Sequence, residues 1–474
     1  MSAPAIAKPR GKRFTAWILI GGVTAVHCLV AAVSFLKDLT FAAYFGTSQA
    51  ADLVTTAFLL PEAISYNLIA AVIGIAAVPE LSRRWQEKQY GMFLRSAARM
   101  ALHAALLMTG ALLLLFLAKN GMMALFGYGP GSAGTGELER LYVLLLFSMP
   151  LFPLFAIGGA ALQASGAFYA AAAGPIVLNA AMLAALSLSW AGNVPEQSGS
   201  FTYAASILAG AGGMTLMVWA ALRRRLRLVA QLSFASAWRQ KDNEAAVTAA
   251  VTGKSRMAAG GLLRVYRDIL PLLLLNLFSQ MLYATERAIA ANMEPGTLAG
   301  LNYAYRIAQF PNWVFVAAVT AVLLPALSRS ASAGGGQAAK PELYRALRAT
   351  LGLMLPAAAV LFWLREPVIS LLFGRGAFGP QSVALTSELL AGYSLSVALQ
   401  AVSVICLRYF LACGRLYGPA AVYLASTVCT IAFDLLAVRS FGAAALGYGA
   451  LCGWALNALL MFMLVVRDSN NRSG

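Results

Sequence analysis

Between Trp17 and Leu36 the chain carries no charged residue for twenty positions, and apolar runs of this length recur along almost all of it. About 20 residues of helix cross a hydrocarbon core of about 30 Å. In that medium each backbone N–H and C=O must be satisfied within the protein, which leaves helices or closed barrels. Runs this long and this apolar select helices. Only 11% of the residues are charged, against roughly a quarter in soluble domains. The first run is too long for a secretory signal, has no small-residue cleavage site, and is followed by many others like it.

Twelve spans are expected, at about 14–46, 49–81, 95–118, 138–164, 168–191, 201–222, 262–292, 297–327, 344–365, 382–412, 416–438 and 443–466. The net charge of +17 would suggest nucleic acid in a soluble protein, but here the cations gather in short loops. Lys8, Arg10, Lys12 and Arg13 precede the first span, and Arg83, Arg84, Lys88, Arg95 and Arg99 surround the second loop. Arg223, Arg224, Arg225, Arg227, Arg239, Lys241, Lys254 and Arg256 fill the central segment, and Arg329, Lys340, Arg345 and Arg348 a later one. With twelve spans all these groups fall on one side, which the positive-inside rule makes cytoplasmic, together with both termini. A chain of five domains follows: a tail over 1–13, a six-helix bundle over 14–222, a basic linker over 223–260, a second bundle over 261–467 and a tail over 468–474.

The two halves resemble each other. "AVPELSRR" (77–84) matches "LLPALSRS" (323–330), "LFGYG" (125–129) matches "LFGRG" (372–376), and "QASGAFYA" (163–170) matches "LACGRLYG" (411–418), at offsets of 246 to 248. Six spans per half place both repeats in the same direction, which predicts two parallel bundles around a central cavity. This is transporter architecture, and no TVGYG-type filter is present.

Charges inside the spans are the candidate working residues, because one at mid-bilayer costs roughly 2.5–3.5 kcal/mol on insertion scales. Lys37 and Asp38 sit side by side late in the first span, and Glu286 and Arg287 hold the corresponding place in the second repeat. Such pairs either mark the outer interface or line a cavity. The very short segment before the next span predicts that the helix continues past them. Glu62 follows Pro61, and Asn312 follows Pro311, so both second spans are expected to break beside a polar group. Arg306 lies about ten residues into the eighth span, and its guanidinium could take a diphosphate bidentately. Arg408 has structural and functional readings of equal weight, and Asp434 is a candidate partner for one of these arginines. His27, His103 and the five cysteines read as packing positions. No Walker A, GxSxG, HExxH or clustered Cys/His motif appears, so neither enzymatic chemistry nor a metal is expected.

"FLKDLTFAAYFGTSQAADLVTTAFLLP" (35–61), "VPELSRRW" (78–85), "GTLAGLNYAYRIAQFPNWVFVAAVTAVLLPALSR" (296–329) and "LLFGRGAFGPQSVALTSELLAGYS" (371–394) together resemble the MurJ/MviN family, lipid II flippases of the multidrug/oligosaccharidyl-lipid/polysaccharide (MOP) exporter superfamily. The resemblance covers nearly the whole chain. It implies alternating-access export of an undecaprenyl-diphosphate-linked glycan across the bacterial plasma membrane, through a cationic cavity. Lys37 and Asp38 match the family's Arg-Asp pair, Asp52 an aspartate opening the second span, and Arg306 a cavity arginine. Other family positions differ. Another first-span arginine falls at Ala31, the paired arginines after the second-span proline fall at Ser65 and Tyr66, the aspartate before Arg306 is Tyr305, the "AEGAF"-like acid is missing from "AAVIG" (70–74), and there are twelve spans where the family has fourteen.

The expectation is therefore a monomeric all-α flippase-like exporter. Lys37, Arg287 and Arg306 would meet the substrate, with Asp38, Asp52, Glu62, Glu286, Asn312, Arg408 and Asp434 as polar lining or coupling groups. No cofactor is expected; energy would come from a Na+ or H+ gradient, the membrane potential or downstream consumption of the substrate. The alternatives are an ion-coupled antiporter of organic cations and a non-transporting scaffold.

Overall fold

The computed structural model describes residues 10–239 and 259–468. Lys8, Lys241, Lys254 and Arg256 of the basic segments lie outside the described residues, as do most of the two tails. Every regular element among the described residues is a helix. Ten helical stretches are long and apolar enough to cross a membrane, and large aliphatic side chains such as Leu106, Leu114, Leu188 and Leu216 stand more than half exposed on them. Outward apolar surface of that kind is what lipid covers. The two remaining expected spans are less regular. That at 262–292 is helix α11 (Ala259–Ala291), which carries several charges, and that at 297–327 is interrupted.

The first helix, α1 (Arg10–Phe45), continues through Lys37 and Asp38, and α11 continues through Glu286 and Arg287, as the short connections predict. Both second spans break where the prolines predict. Helix α2 (Gln49–Pro61) passes into a π-helix over Glu62–Ala70 before α3 (Ala71–Gln86). In the second repeat, α12 (Thr297–Pro311) passes into a π-helix over Asn312–Val316 before α13 (Ala317–Trp363). Proline removes a donor and clashes with the carbonyl one turn back, and the widened π-turn absorbs the misfit.

Two expected loops are helical instead. Helix α10 (Glu196–Arg239) runs on through "RRRLR", and α13 spans the segment expected to be a loop between the eighth and ninth spans. In α10 the residues are arginine, leucine and alanine, all good helix formers, whereas the α13 segment stays helical through Gly334, Gly335, Gly336 and Pro341, which local propensity does not explain. His27 and His103 are exposed, and Cys28 is too, so none of these three is a packing position; Cys406 is buried.

Contacts divide the chain into two compact units that cut across the sequence halves. Of the described residues, one holds 10–41, 65–116 and 143–239, the other 42–64, 117–142 and 259–468. In the first, α3 and α10 pack on α7 (Leu151–Ala164), with Leu81, Phe93, Leu162, Val218 and Leu222 in one apolar cluster. In the second, α15 (Pro380–Ala412) packs on α12, α13 and α17 (Ala444–Arg467), while α16 (Tyr417–Phe441) joins α11 to α17.

Small residues permit the closest of these approaches. A Cβ at Gly392 would stand 2.1 Å from the carbonyl carbon of Gly447, and one at Gly447 would stand 2.4 Å from the Leu389 carbonyl oxygen. Backbone cannot move aside as a side chain can. Gly392→Ala is expected to cost about 1–3 kcal/mol, whereas Gly352→Ala, with no atom within 4 Å, leaves stability unchanged. Thermal unfolding of the purified variants checks the contrast, and equal midpoints would contradict it.

Segment 42–64 belongs to the second unit because its turns meet that unit backbone to backbone. Ala377 N–H donates to the Ala43 carbonyl at 2.8 Å. Gly46 (φ +55°) and Gly376 (φ +60°) flank this contact, and a Cβ on either would strike the opposing carbonyl oxygen at 2.4 and 2.2 Å. The "YFG" and "LFGRG" motifs are thus two sides of one joint. Tyr303 adds a hydroxyl donated to the Gly46 carbonyl at 2.8 Å.

Candidate substrate and coupling site

Arg287 is the largest fully buried side chain among the described residues, with 0% exposure. Its place near the C-terminal end of α11 sets it among three tyrosines. The guanidinium lies 3.3 Å from the centre of the Tyr283 ring, one helical turn back, and 5.1 Å from that of Tyr305 on α12. Nε donates to Asn302 Oδ1 at 3.1 Å and Nη1 to the Tyr283 carbonyl at 3.3 Å, with Glu286 Oε2 at 3.5 Å. Tyr393 from α15 donates its hydroxyl to the same Glu286 oxygen at 3.1 Å. Nη2 has no hydrogen-bond partner. A desolvated cation is thereby held by aromatic faces and a carboxylate, with one edge of its fork uncommitted.

The charges of Glu62 and Arg306 also act on the Tyr283 hydroxyl. Glu62, Glu286, Arg287 and Arg306 therefore form one electrostatic neighbourhood inside the second unit. Beside it lies a cavity of about 240 Å³, lined in part by Tyr283, Glu286, Tyr305, Tyr393, Gln400 and Tyr423. Asn312 reaches this cavity indirectly, since its amide donates to the side-chain oxygen of Gln400. Arg408, on α15, is half-buried, leaves Nε without a partner, and acts electrostatically on Tyr423.

Asp434 differs from its expected role. It is fully buried on α16, and neither carboxylate oxygen has a hydrogen-bond partner, so it is not paired with Arg306 or Arg408. Its field instead reaches Glu286 and Tyr393. Gly449 makes the space for it, because a Cβ there would stand 1.8 Å from Asp434 Oδ1.

Asp52 is a buried latch. Its two oxygens accept the backbone N–H groups of Gly296 at 2.6 Å and Ala299 at 2.8 Å. These are orphan donors at the start of α12, whose N-cap, Gly296, has no side chain to offer them. The carboxylate of one helix thus caps another, and the positive end of α12 favours its charge. Gly296 is obligatory here, with φ +91° and the Thr47 carbonyl oxygen 2.1 Å from where a Cβ would stand.

Lys37 and Asp38 belong to the first unit and form an ion pair at 2.6 Å, with side chains 7% and 13% exposed. Of the proposed substrate cations, the structure brings Arg287 and Arg306 into one neighbourhood within the second unit; Lys37 is part of the other. The sequence reading passed over Tyr283, Tyr393 and Asn302, which hold Arg287 and Glu286, and over Gly46, Gly296 and Gly376. The repeated "LFGxG" signalled the glycine joint; no spacing signalled the tyrosines, which come from three helices.

The family model of lipid II flippase MurJ matches residues 41–471. The chain is 27% identical over 472 residues to a probable lipid II flippase MurJ of Rhizobium meliloti (strain 1021), covering 94% of this chain and 79% of that protein. Among solved structures it resembles lipid II flippase MurJ in an inward closed conformation, with a TM-score of 0.72 and 17% identity over 94% of this chain and 87% of the other. It also resembles an inward-facing multidrug resistance MATE family transporter of the MOP superfamily, with a TM-score of 0.71 and 14% identity over 92% and 94% of the two chains. A multi-pass helical fold with paired proline breaks and a family match over nine-tenths of the sequence have one meaning: this chain belongs to the MurJ family of lipid II flippases.

Proposed function

We propose that this protein moves lipid II, or a closely similar lipid-diphosphate-linked cell-wall precursor, across the bacterial inner membrane by alternating access. The observation that carries the reading beyond family membership is the fully buried Arg287, whose Nη2 is uncommitted among the described residues. A guanidinium with an open edge suits a diphosphate, whose oxygens accept forked donors, and Arg306 of the same unit is proposed as the second such donor. Lys37, ion-paired with Asp38 in the first unit, is proposed as a further substrate contact within that unit. In this reading both termini and the basic loops are cytoplasmic, the protein works as a monomer, and the Asp52 latch lies at the periplasmic end, where release of α12 from α2 accompanies opening.

Coupling falls to the acids. Asp434 is wholly buried without a partner, and a carboxylate so placed is neutral or takes a cation. A proton or Na+ that binds there changes the charge facing Glu286 and so the hold on Arg287. The positions that lack the family's cations, Ala31, Ser65 and Tyr66, leave Arg306 with a larger share of the work. Arg306→Ala is expected to abolish complementation of a flippase-depleted strain while its membrane abundance stays at the wild-type level. Full complementation by this variant would remove its assigned role. Flipping of a labelled lipid diphosphate by the reconstituted wild type, with each ion gradient collapsed in turn, identifies the coupling ion; no flipping at all would favour the scaffold.

A second reading, the antiport of organic cations, is favoured by the cavity's own composition. Tyr393, Tyr423 and Trp454 line it together with Glu286, and aromatic faces beside a carboxylate suit an ammonium group. Efflux of a labelled ammonium compound by liposomes that do not flip the lipid would establish it instead.

A further inference from the structure

The first unit has an open groove of about 500 Å³ at the basic end of α10, lined by none of the candidate substrate or coupling residues. Its wall is a single stripe of that helix. Met217, Ala220, Ala221, Arg224, Arg225 and Leu228 lie on one helical face, each with another of the set three or four positions away. Opposite them lie Leu162 from the end of α7 and the alanines Ala167 and Ala170 from the turn and short helix that follow (α8, Phe168–Ala172). The alanines leave the space, Ala170, Met217 and Ala221 form the floor, and Leu162 lies fully buried beneath it. The membrane-spanning stretch of α10 runs over Glu196–Val229, so the two arginines stand where hydrocarbon gives way to headgroups.

We propose that this groove seats one anionic phospholipid, with its phosphate on Arg224 and Arg225 and part of an acyl chain along Ala167, Ala170, Met217 and Ala221. Charge complementarity selects this occupant. Arg223 and Arg227 belong to the same basic run but do not line the groove, and no acidic residue lines it among the described residues. Arg225 Nη2 donates to the Ser165 carbonyl at 3.3 Å, which holds the guanidinium at the groove's mouth. That carbonyl is presented by the turn closing α7, where Gly166 has φ +82°. The long alkyl stems of both arginines extend the apolar wall toward the headgroup layer. A soluble anion would use the cations and waste the floor, and an apolar peptide would do the reverse. An amphiphile with an anion next to hydrocarbon uses both, as basic pockets between cytoplasmic helix ends do for anionic lipids.

The test is native mass spectrometry of the full-length protein titrated with dioleoylphosphatidylglycerol and, separately, dioleoylphosphatidylcholine. One phosphatidylglycerol should be retained in preference to phosphatidylcholine. The double variant Arg224→Gln/Arg225→Gln should bind it about 30-fold more weakly, at roughly fivefold per arginine. Arg223→Gln/Arg227→Gln should bind it as the wild type does. Ala221→Phe keeps all four charges but fills the groove, and it should lose the retained lipid. Equal retention of both lipids, equal weakening by the two charge variants, or full binding by Ala221→Phe would each overturn the site and leave only a diffuse basic surface.

Discussion

Arg287→Ala will lower stability by about 3–5 kcal/mol, seen as a loss of membrane abundance and of the thermal midpoint of the purified protein. The cost does not come from the ion pair itself, since replacing both members of a buried pair by apolar groups is often neutral. It comes from Glu286, which is 4% exposed and would be left with a single donor, Tyr393. Loss of the stacking on Tyr283 and of the bond to Asn302 adds to this. Polar contacts between membrane helices average only about 0.6 kcal/mol, so a value several times larger points to the stranded charge. Arg287→Lys retains a cation but not the fork that reaches Asn302, and should fall between the wild type and alanine. The double variant Glu286→Gln/Arg287→Met should regain most of the abundance without regaining transport. A double variant as unstable as Arg287→Ala would show that the stranded carboxylate is not the cause.

The second large effect is expected at Asp52. Asp52→Ala removes two charge-assisted hydrogen bonds from buried backbone donors, each worth about 1.5–3 kcal/mol, for a loss of about 3–5 kcal/mol after relaxation. Asp52→Asn keeps one acceptor oxygen but turns its amide toward the other N–H, so about half the loss remains. Local hydrogen exchange separates this from general destabilisation: the Gly296 and Ala299 amides should exchange faster by more than a hundredfold in Asp52→Ala, ahead of amides in the α15–α17 contact. Uniform acceleration across the second unit, or none at the start of α12, would exclude a cap. A variant that folds with the latch gone should also spend more time open at that end, visible as faster labelling of a cysteine placed at Thr47.

How much of this could be read in advance depended on the range of the interaction. The apolar runs, the prolines of "LLPE" and "QFPN", and the continuation of α1 and α11 through their charges are local matters, settled within a turn or two of the residues themselves. The π-turns after Pro61 and Pro311 appear where the sequence places them. The helical course of "RRRLR" was also local, and was misread only because basic residues were taken as loop markers when their propensity favours helix. Asp434 was not legible. An acid in "IAFDLLA" gives no sign of whether an arginine faces it, and in the fold none does.

By itself, then, the sequence determined that the chain spans a membrane as helices, that its halves repeat, and which charges had to be kept from lipid, because all three follow from transfer energies summed along short windows. Only the tertiary structure decided what those charges do. Asp52 became a cap for α12 because Gly296, 244 residues away, lacks a side chain to cap it. Glu286 and Arg287 became a tyrosine-held cluster because α11, α12 and α15 bring Tyr283, Tyr305 and Tyr393 to one place. The residues of 42–64 joined the far half of the chain because glycines at 46, 296 and 376 let backbones meet. Each of these is a contact between segments distant in sequence, whose energy depends on geometry that no local pattern encodes.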